Sequence, residues 1–220
     1  MEFGKFDDLV GRGAASLGIA LDTQQSENLY RYYLELKHWS KKVNLISREA
    51  TDEQIVENHF IDSLALVSVL DGRSGALFDI GSGAGFPGLV CKTARPERVV
   101  SLIEPRLKRT SFLRHVIRSI GLAGIDVQSC RLEDGVALEG ESTSRWVVSR
   151  AVTNVADFLG MCERFKKRQS FIVCMKGPRY QEEFDTDAVE SDGWLLKTTT
   201  SYELPFSKAE RALLIFQGID

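Results

Sequence analysis

Hydrophobic residues at helical spacing dominate the first seventy positions of the chain. The pair Asp22/Gln25 resembles a capping box, and the pair Thr51/Gln54 repeats the pattern before a second apolar series. The first series, spaced near 3.6 residues, comprises Leu29, Tyr32, Tyr33, Leu36 and Trp39, and the second comprises Ile55, Val56, Phe60, Leu64 and Val67. The pattern therefore predicts that residues 1–72 form a helical N-terminal region.

After residue 72 the pattern changes to short apolar runs that alternate with amphipathic stretches. The runs ALFDI, RVVSLIE, IDVQSC, RWVVSRA and QSFIVCMK alternate with the stretches GLVCKTA, TSFLRHVIRSI and VADFLGMCERF. Alternation of this kind predicts an α/β fold with a mostly parallel sheet wound on both faces, which binds ligands at the carboxyl ends of its strands. The closing runs WLLKTTTSYELPF and RALLIFQGI have no helix-length segment between them and predict an antiparallel pair at one edge. We expect residues 73–220 to form this seven-stranded Rossmann-like unit.

Composition limits the possible partners and compartments. The 28 Lys and Arg residues against 31 Asp and Glu residues give a net charge of −3, so a polyanion would have to bind a local basic patch. The four cysteines form no CxxC pair and have no His at ligand spacing, so neither a zinc site nor a disulfide framework is expected. No signal peptide or membrane span is indicated. We expect a cytoplasmic, monomeric protein that needs no metal and no membrane.

A glycine-rich turn follows the first apolar run, in the stretch DIGSGAGFPG. An acid, Asp79, precedes the glycines at positions 81, 83, 85 and 88, and this spacing departs from the GxGxxG of dinucleotide-binding folds. The DxGxGxG arrangement instead resembles the first motif of class I S-adenosylmethionine (AdoMet) methyltransferases. AdoMet carries an ammonium and a sulfonium and has no pyrophosphate, so an acid at the strand end suits it and would repel a dinucleotide. We therefore expect Asp79, Gly81 and Gly83 to contact AdoMet.

Other strand ends supply further candidate cofactor contacts. Glu104 follows the second strand and could accept hydrogen bonds from a ribose diol, which a nicotinamide dinucleotide would also offer. Leu132 and Glu133 follow the third strand, where an apolar side chain could cover an adenine ring and a carboxylate could accept from its amino group. Spacing alone leaves an exposed acidic turn as an equal alternative for this pair.

The fourth and fifth strands end in cations. Arg150 and Lys176 suit an acceptor that lies within a phosphate chain, although a surface salt bridge is the alternative for each. The fourth strand carries no Asn/Asp-Pro-Pro-aromatic motif for amine methylation, and Cys174 lies inside an apolar strand and is interpreted as core. Amine and carbon methylation are therefore disfavoured.

Basic residues cluster in three other segments, with aromatic residues beside one of them. These groups could bind RNA or form solvated faces, and the aromatic residues could stack on bases or form a core stripe. The basic groups are Arg106, Lys108, Arg109, Arg114 and Arg118; Arg164, Lys166, Lys167 and Arg168; and Lys37, Lys41, Lys42 and Arg48. The aromatic candidates are Tyr32, Tyr33, His38 and Trp39.

Six separated motifs together resemble one known family. KKVNLISREATDEQIVENHFIDSLAL, FDIGSGAGFPGL, KRTSFLRHV, the RLED turn, VVSRAV and MKG occur in the order and spacing of the RsmG/GidB family of small-subunit ribosomal RNA guanine-N7 methyltransferases. The resemblance implies a class I AdoMet-dependent fold, AdoMet as cofactor, and N7 of one guanosine in the 530 loop of 16S rRNA as the acceptor. The implied partner is 16S rRNA or the 30S subunit.

The same resemblance carries over site residues. It places cofactor contacts at Gly81, Phe86, Leu132, Glu133 and Arg150, and we expect Arg150 to be catalytic as well. It places substrate contacts at two N-terminal motif positions, and we add the cation that ends the fifth strand. These substrate candidates are Asn44, His59 and Lys176.

The chain departs from the family pattern at two places, and two rival functions remain open. Ala212 stands where the family often has His, and Glu104-Pro105 stands where Asp-Ser is frequent. The rivals are an AdoMet-dependent methyltransferase acting on a small molecule or protein, and a catalytically inactive RNA-binding relative. A nicotinamide oxidoreductase is disfavoured by the glycine spacing and by Asp79.

Overall fold

The computed structural model describes residues 1–135, 144–150, 153–166 and 169–219. They form a seven-stranded mixed sheet with helices packed on it, in the strand order β3-β2-β1-β4-β5-β7-β6. The strands are β1 (Ala76–Ile80), β2 (Val100–Ile103), β3 (Ile125–Gln128), β4 (Arg145–Arg150), β5 (Ser170–Lys176), β6 (Trp194–Glu203) and β7 (Glu210–Gly218). The Rossmann-like fold class predicted from the sequence is confirmed.

The helices surround this sheet and also make up most of the N-terminal region. They are α1 (Phe3–Ser16), α2 (Thr23–Ser40), α3 (Asp52–Ile55), α4 (Asp62–Leu70), α5 (Gly88–Ala94), α6 (Leu107–Ser119), α7 (Val155–Met161) and α8 (Thr186–Ser191). Both predicted capping boxes are present. Asp22 Oδ1 accepts from Gln25 N at 2.8 Å, and Thr51 N donates to Gln54 Oε1 at 2.9 Å. None of the helices in these ranges combines the length and apolar character needed to cross a membrane.

Strand pairing sets which residues meet at one edge of the sheet. Strands β1 to β5 pair in parallel, with Ile80 opposite both Ile103 and Ser149. Strand β7 runs antiparallel between β5 and β6, so the two closing runs form the predicted antiparallel pair. The residues that follow β1, β2, β4 and β5 therefore lie side by side.

The helix predicted to begin near Thr51 is interrupted. Residues Val56–Ile61 form a π-helical segment between α3 and α4. Each π-helical turn holds more residues than an α-helical turn, and such segments recur at functional sites. The periodicity of a single turn does not distinguish the two forms. The sequence also missed α8 and a 3₁₀ turn at Tyr180–Glu183.

The N-terminal helices share one hydrophobic core with the sheet. Phe6 of α1, Tyr32 of α2 and Phe60 of the π-helical segment are fully buried in the same cluster as Leu77 of β1 and Leu89 of α5. Aromatic rings join the two parts directly, since the Tyr32 ring stacks on that of Phe86 with centroids 5.3 Å apart. This packing places the N-terminal region against the glycine-rich turn.

Candidate active site

A cavity of about 640 Å³ opens at the carboxyl ends of the parallel strands. Its walls come from the glycine-rich turn, the ends of β2, β4 and β5, the start of β7 and the N-terminal region. Its lining combines two carboxylates with five cations. The charged members are Asp62, Glu104, Arg106, Arg109, Arg150, Lys176 and Arg211, and the others include Leu45, His59, Gly81, Gly83 and Phe86.

The glycine-rich turn forms one wall of the cavity. Gly81, Gly83 and Gly85 all have positive φ, at 70°, 58° and 97°, a region that other residues rarely adopt. The Gly83 amide donates to Glu104 Oε2 at 3.0 Å, so the turn is tied to the end of β2. Because Gly81 and Gly83 have no Cβ, a ligand in the cavity can approach the backbone of the turn closely at these two positions.

Asp79 lies behind the turn rather than in the cavity lining. The side chain is fully buried, and Oδ2 accepts from Gly88 N at 2.9 Å, at the start of α5. Burial raises the pKa of Asp79 to about 7, against the lowering effects of the Gly88 amide and Arg150. Its Oδ1 has no hydrogen-bond partner in the described part of the chain. The expected contact of Asp79 with the AdoMet ammonium stays a prediction.

Glu104 holds the position expected for a ribose-binding acid. Its carboxylate is almost fully buried, with Oε2 accepting from Gly83 N and Oε1 accepting from Arg106 N at 2.8 Å. Arg109 Nη1 lies 3.6 Å from Oε2. A carboxylate has about four acceptor sites, so these backbone bonds leave capacity for a diol.

Arg150 joins the end of β4 to the N-terminal region. Its Nη1 donates to the Asn58 carbonyl at 2.7 Å, and its Nη2 lies 3.0 Å from His59 Nδ1. Both partners belong to the π-helical segment. The guanidinium also lies over the Phe86 ring, 5.2 Å from its centroid. Arg150 is therefore fixed from several sides and is not a free surface charge.

His59 is a neutral acceptor in this arrangement. Burial, followed by the nearby Arg150 charge, lowers the pKa of His59 to about 3. Because a guanidinium only donates, Nδ1 must hold a lone pair and Nε2 carries the proton. The imidazole stacks on the Phe86 ring with centroids 5.0 Å apart. His59 thus orients Arg150 and Phe86 around the cavity.

A buried ionic cluster beside Arg150 was missed by the sequence analysis. Asp62 accepts from Tyr202 Oη at 2.8 Å, and its carboxylate lies 3.3 Å from Arg150 Nη1 and 3.4 Å from Arg211 Nε. The Asp62 side chain is only 7% exposed. These residues come from α4, β4, β6 and β7, and no pattern in the sequence predicts that their side chains meet. The nearest signal was the HFIDSL motif, which contains Asp62.

The remaining predicted site residues lie at different distances from the cavity. Lys176 lines it, but its Nζ also pairs with Glu183 Oε2 at 2.6 Å. Asn44 is exposed, and its backbone carbonyl accepts a long hydrogen bond of 3.4 Å from Arg109 Nη2. Leu132 is buried in the core beneath the sheet end, whereas Glu133 is exposed, and neither lines the cavity.

Two of the aromatic stacking candidates were wrong. Tyr32 and Tyr33 are fully buried, and the Tyr32 hydroxyl donates to the Ala84 carbonyl inside the protein. Their spacing reflects the core face of α2, which a base cannot reach. His38 is exposed and Trp39 is half-buried, so both remain candidates. Two residues of the second basic group, Lys167 and Arg168, lie outside the described residues.

The residues of the cavity fit AdoMet. Glu104 retains acceptor capacity beside the glycine-rich turn. A Cβ added to Gly83 would meet no atom closer than the Gly81 carbonyl oxygen, at 3.7 Å, so the space in front of this backbone is open to a ligand. The unpartnered Asp79 Oδ1 is a buried acceptor behind the same turn. Glu104 and the open backbone of the turn match the ribose diol that AdoMet carries, and the contact of Asp79 with the ammonium remains a prediction.

Known structures share this fold. The methyltransferase domain of METTL16 superposes with a TM-score of 0.59 at 11% identity, covering 100% of this chain and 93% of its own. A putative RNA methyltransferase from Pyrococcus horikoshii superposes with a TM-score of 0.53 at 13% identity, covering 87% and 100%. The seven-stranded sheet, with its glycine-rich turn and the acid after β2, therefore defines a class I AdoMet-dependent methyltransferase fold.

Sequence comparison identifies the family within that class. The family model for GidB, rRNA small subunit methyltransferase G, matches residues 25–214, so the chain belongs to this family. The ribosomal RNA small subunit methyltransferase G of Desulfotalea psychrophila is 45% identical over 219 residues, which cover 99% of this chain and 100% of that protein. The protein of the same name from Acetivibrio thermocellus is 34% identical, with 97% and 88% covered. The family resemblance stated from the motifs is confirmed.

Proposed function

We propose that this protein transfers the methyl group of AdoMet to N7 of a guanosine in the 530 loop of 16S rRNA. The supporting observation is the cavity in which the diol-accepting Glu104 lies among Arg106, Arg109, Arg150, Lys176 and Arg211. Such a lining suits a cationic cofactor on one side and a phosphate-bearing acceptor on the other. The family name of its relatives, rRNA small subunit methyltransferase G, supports the class of acceptor.

The chemistry proposed for the site needs no proton acceptor. Guanine N7 carries a lone pair at neutral pH, so methyl transfer does not require a general base. His59 is neutral and occupied by Arg150, and the buried cysteine thiols of Cys91 and Cys174 have raised pKa values. AdoMet, when bound, supplies an electrophilic methyl group. The protein's own contribution is orientation, which can supply roughly 7–11 kcal/mol of the barrier.

Different residues of the site orient the cofactor and the base. Glu104 and the amides of the glycine-rich turn hold the cofactor, and Asp79 stabilises the turn from behind. Arg150 and Phe86 form the wall shared by cofactor and base, and His59 and Asp62 hold Arg150 in place. Two carboxylates line the cavity; Glu104 is assigned to the cofactor, so Asp62 is the one that would stabilise the positive charge that develops on the purine.

The remaining assignments concern partners and setting. We infer a cytoplasmic, monomeric enzyme that requires no metal and acts on 16S rRNA or the 30S subunit, with residues 1–72 as the RNA-docking region. Lys41 and Lys42 of that region are exposed and available for phosphates, and Asn44 lies at the cavity rim. Asn44, His59 and Lys176 are the proposed substrate contacts.

The deciding experiment incubates the purified protein with labelled AdoMet and either naked 16S rRNA or 30S subunits from cells that lack the activity. The RNA is digested and the labelled nucleoside identified. We expect 7-methylguanosine from a single site, and the preferred RNA identifies the natural substrate. If AdoMet binds but neither RNA is labelled, the acceptor is wrong and a small-molecule or protein substrate takes its place.

A further inference from the structure

A second groove lies beside the active-site cavity, on the surface between α2 and α6. This Trp39 groove has a volume of about 700 Å³ and is lined by Glu35, His38, Trp39, Lys42, Val43, Lys108 and His115. Its residues include several of the basic and aromatic candidates named from the sequence, but none of the proposed contacts with AdoMet or with the methylated guanosine. Its lining combines an aromatic floor with cations at the sides.

The floor of the groove is a half-buried indole held at a fixed angle. The Trp39 ring packs against Phe112 at a centroid distance of 5.7 Å and against His115 at 5.3 Å. His115 Nε2 in turn lies 2.8 Å from Glu35 Oε2. A ring fixed in this way loses little entropy when a flat ligand stacks on it. The indole is thus a preformed stacking platform.

Charge in the groove favours a polyanion. Lys42 and Lys108 are exposed on its two sides and make no salt bridge in the described part of the chain. Among the described residues that line the groove, Glu35 is the only acid, and His115 accompanies it. A base stacked on Trp39 would place its flanking phosphates within the field of the two lysines.

Residues that are close together in the chain line the groove and the active-site cavity and form the rim between them. Val43 lines the groove and Leu45 lines the cavity, while Lys108 lines the groove and its neighbour Arg109 lines the cavity. Arg109 Nη2 reaches the Asn44 carbonyl and so connects the two sides of the rim. A strand that enters the cavity could therefore continue into the groove without crossing the protein.

From this geometry we infer that the Trp39 groove binds an unpaired nucleotide of the substrate RNA near the methylated guanosine, with its base on Trp39 and its phosphates on Lys42 and Lys108. This inference rests on the proposed function, because it assumes an RNA acceptor. Binding at the groove would hold the RNA single-stranded beside the cavity, which favours presentation of an unstacked guanosine.

Tryptophan fluorescence offers a direct test on the full-length protein. The chain has three tryptophans, and Trp146 and Trp194 are 2% and 1% exposed, so Trp39 is the one that a base can reach. The probe is a single-stranded RNA of about ten nucleotides, without AdoMet, which is unlabelled for the quenching measurement and fluorescein-labelled for anisotropy. We expect saturable quenching of tryptophan emission with the same midpoint as the rise in probe anisotropy. Binding without quenching, or no binding, overturns the inference.

Lysine variants test the phosphate contacts. Lys42→Gln/Lys108→Gln should lower the slope of log affinity against log salt by about 1.4, since each single-strand phosphate contact contributes about 0.7. Between about 50 and 200 mM salt the wild-type affinity should then fall about sevenfold more than that of the double variant. Lys197→Gln, an exposed lysine on β6 at the other sheet edge, is the matched control and should not differ from wild type.

Substitution of the indole tests stacking. Trp39→Phe keeps an aromatic face, whereas Trp39→Leu removes it and should weaken probe binding about fivefold or more relative to Trp39→Phe. Equal affinity of these two variants, or an unchanged salt slope in the lysine variant, would refute the assignment. These measurements do not involve methyl transfer, so a failure of the groove and a failure of the proposed RNA methylation are seen separately.

Discussion

At the residue scale, the site is built around one arginine with many partners. Arg150 contacts the Asn58 carbonyl, His59, Asp62 and the Phe86 ring, so its guanidinium is held from several sides. The strand-end pattern predicted that Arg150 and Glu104 would lie together, because parallel strands align their carboxyl ends. It could not predict Asp62 or Tyr202, since they meet only through a contact between residues 140 positions apart.

We expect Arg150→Ala to lower the rate of methyl transfer by about 100-fold or more, because a small misplacement of a reacting group costs about that much. Folding should survive, since Asp62 keeps Tyr202 and Arg211 as partners. Single-turnover transfer to RNA and circular dichroism measure the two effects. Arg150→Lys is the control that keeps the charge but cannot reach both the Asn58 carbonyl and His59 with two nitrogens of one guanidinium. If a folded Arg150→Ala protein transferred methyl groups at the wild-type rate, Arg150 would have no role in the reaction.

Two buried groups near the glycine-rich turn should give opposite pH dependences of stability. The unfolded chain releases the Asp79 proton near pH 4, but the folded chain holds it to a pKa of about 7, so this group lowers stability as pH rises across that window. The unfolded chain protonates His59 near pH 6.5, but the folded pKa is about 3, so this group lowers stability as pH falls. The two effects oppose each other between about pH 4 and 6.5.

Single substitutions should therefore reveal each effect. In Asp79→Asn only the His59 effect remains, so the free energy of unfolding should fall as pH drops below about 6.5. In His59→Gln only the Asp79 effect remains, so the free energy of unfolding should rise as pH drops from about 7 to 4. Each change is of order a few kcal/mol, with about 4 kcal/mol as an upper bound. Urea unfolding at about pH 4.5 and 7.5 measures both. The same pH slope in both variants would contradict the assignment.

At the element scale, the π-helical segment Val56–Ile61 connects the N-terminal region to the rest of the site. It supplies the Asn58 carbonyl and His59 to Arg150, and its Glu57 side chain accepts from the amides of Phe206 at 2.7 Å and Ser207 at 2.8 Å. The capping pair and the apolar spacing predicted a helix here. They could not predict the π-helical turn, because over six residues the apolar series fits the period of an α-helix and that of a π-helix equally well.

Loss of the Glu57 anchor should loosen the turn between β6 and β7. Glu57→Ala leaves two backbone donors without their acceptor, and we expect a loss of about 2–4 kcal/mol of stability. Glu57→Gln retains a carbonyl oxygen and should lose less. Thermal unfolding gives the stability change, and faster hydrogen exchange at Phe206 and Ser207 locates it. Unchanged exchange at these amides in Glu57→Ala would show that the contact does not hold the turn.

At the scale of the whole molecule, the N-terminal region and the sheet form one packing unit. The alternation of strands and helices was sufficient to predict the sheet and the antiparallel edge pair, and a cavity lies at the carboxyl ends of the parallel strands, where the ligand site was expected. The sequence pattern changes near residue 72, but the core does not divide there, since Tyr32 and Phe60 both pack on Phe86. Aromatic rings from the two sides of residue 72 pack against each other in the folded chain, and the local sequence pattern cannot predict such a long-range contact.

A fragment of residues 73–220 should therefore not fold by itself. It would expose the surfaces of Phe86, Leu89 and Phe112 that the N-terminal helices cover, and it would lose the partners of Arg150. Circular dichroism and a thermal scan of the fragment measure this, with the full chain as the reference. A cooperative transition at the full-chain temperature would instead show that residues 73–220 are an independent domain.

The bond between Glu57 and Ser207 also has a consequence for synthesis of the chain. Its two ends are separated by 150 positions, and Arg211, which pairs with Asp62, comes later still. Until the final hairpin emerges from the ribosome, a nascent chain lacks Arg211 at the cavity and the turn that Glu57 holds. We therefore expect methyl transfer to become possible only when translation of the enzyme is nearly complete.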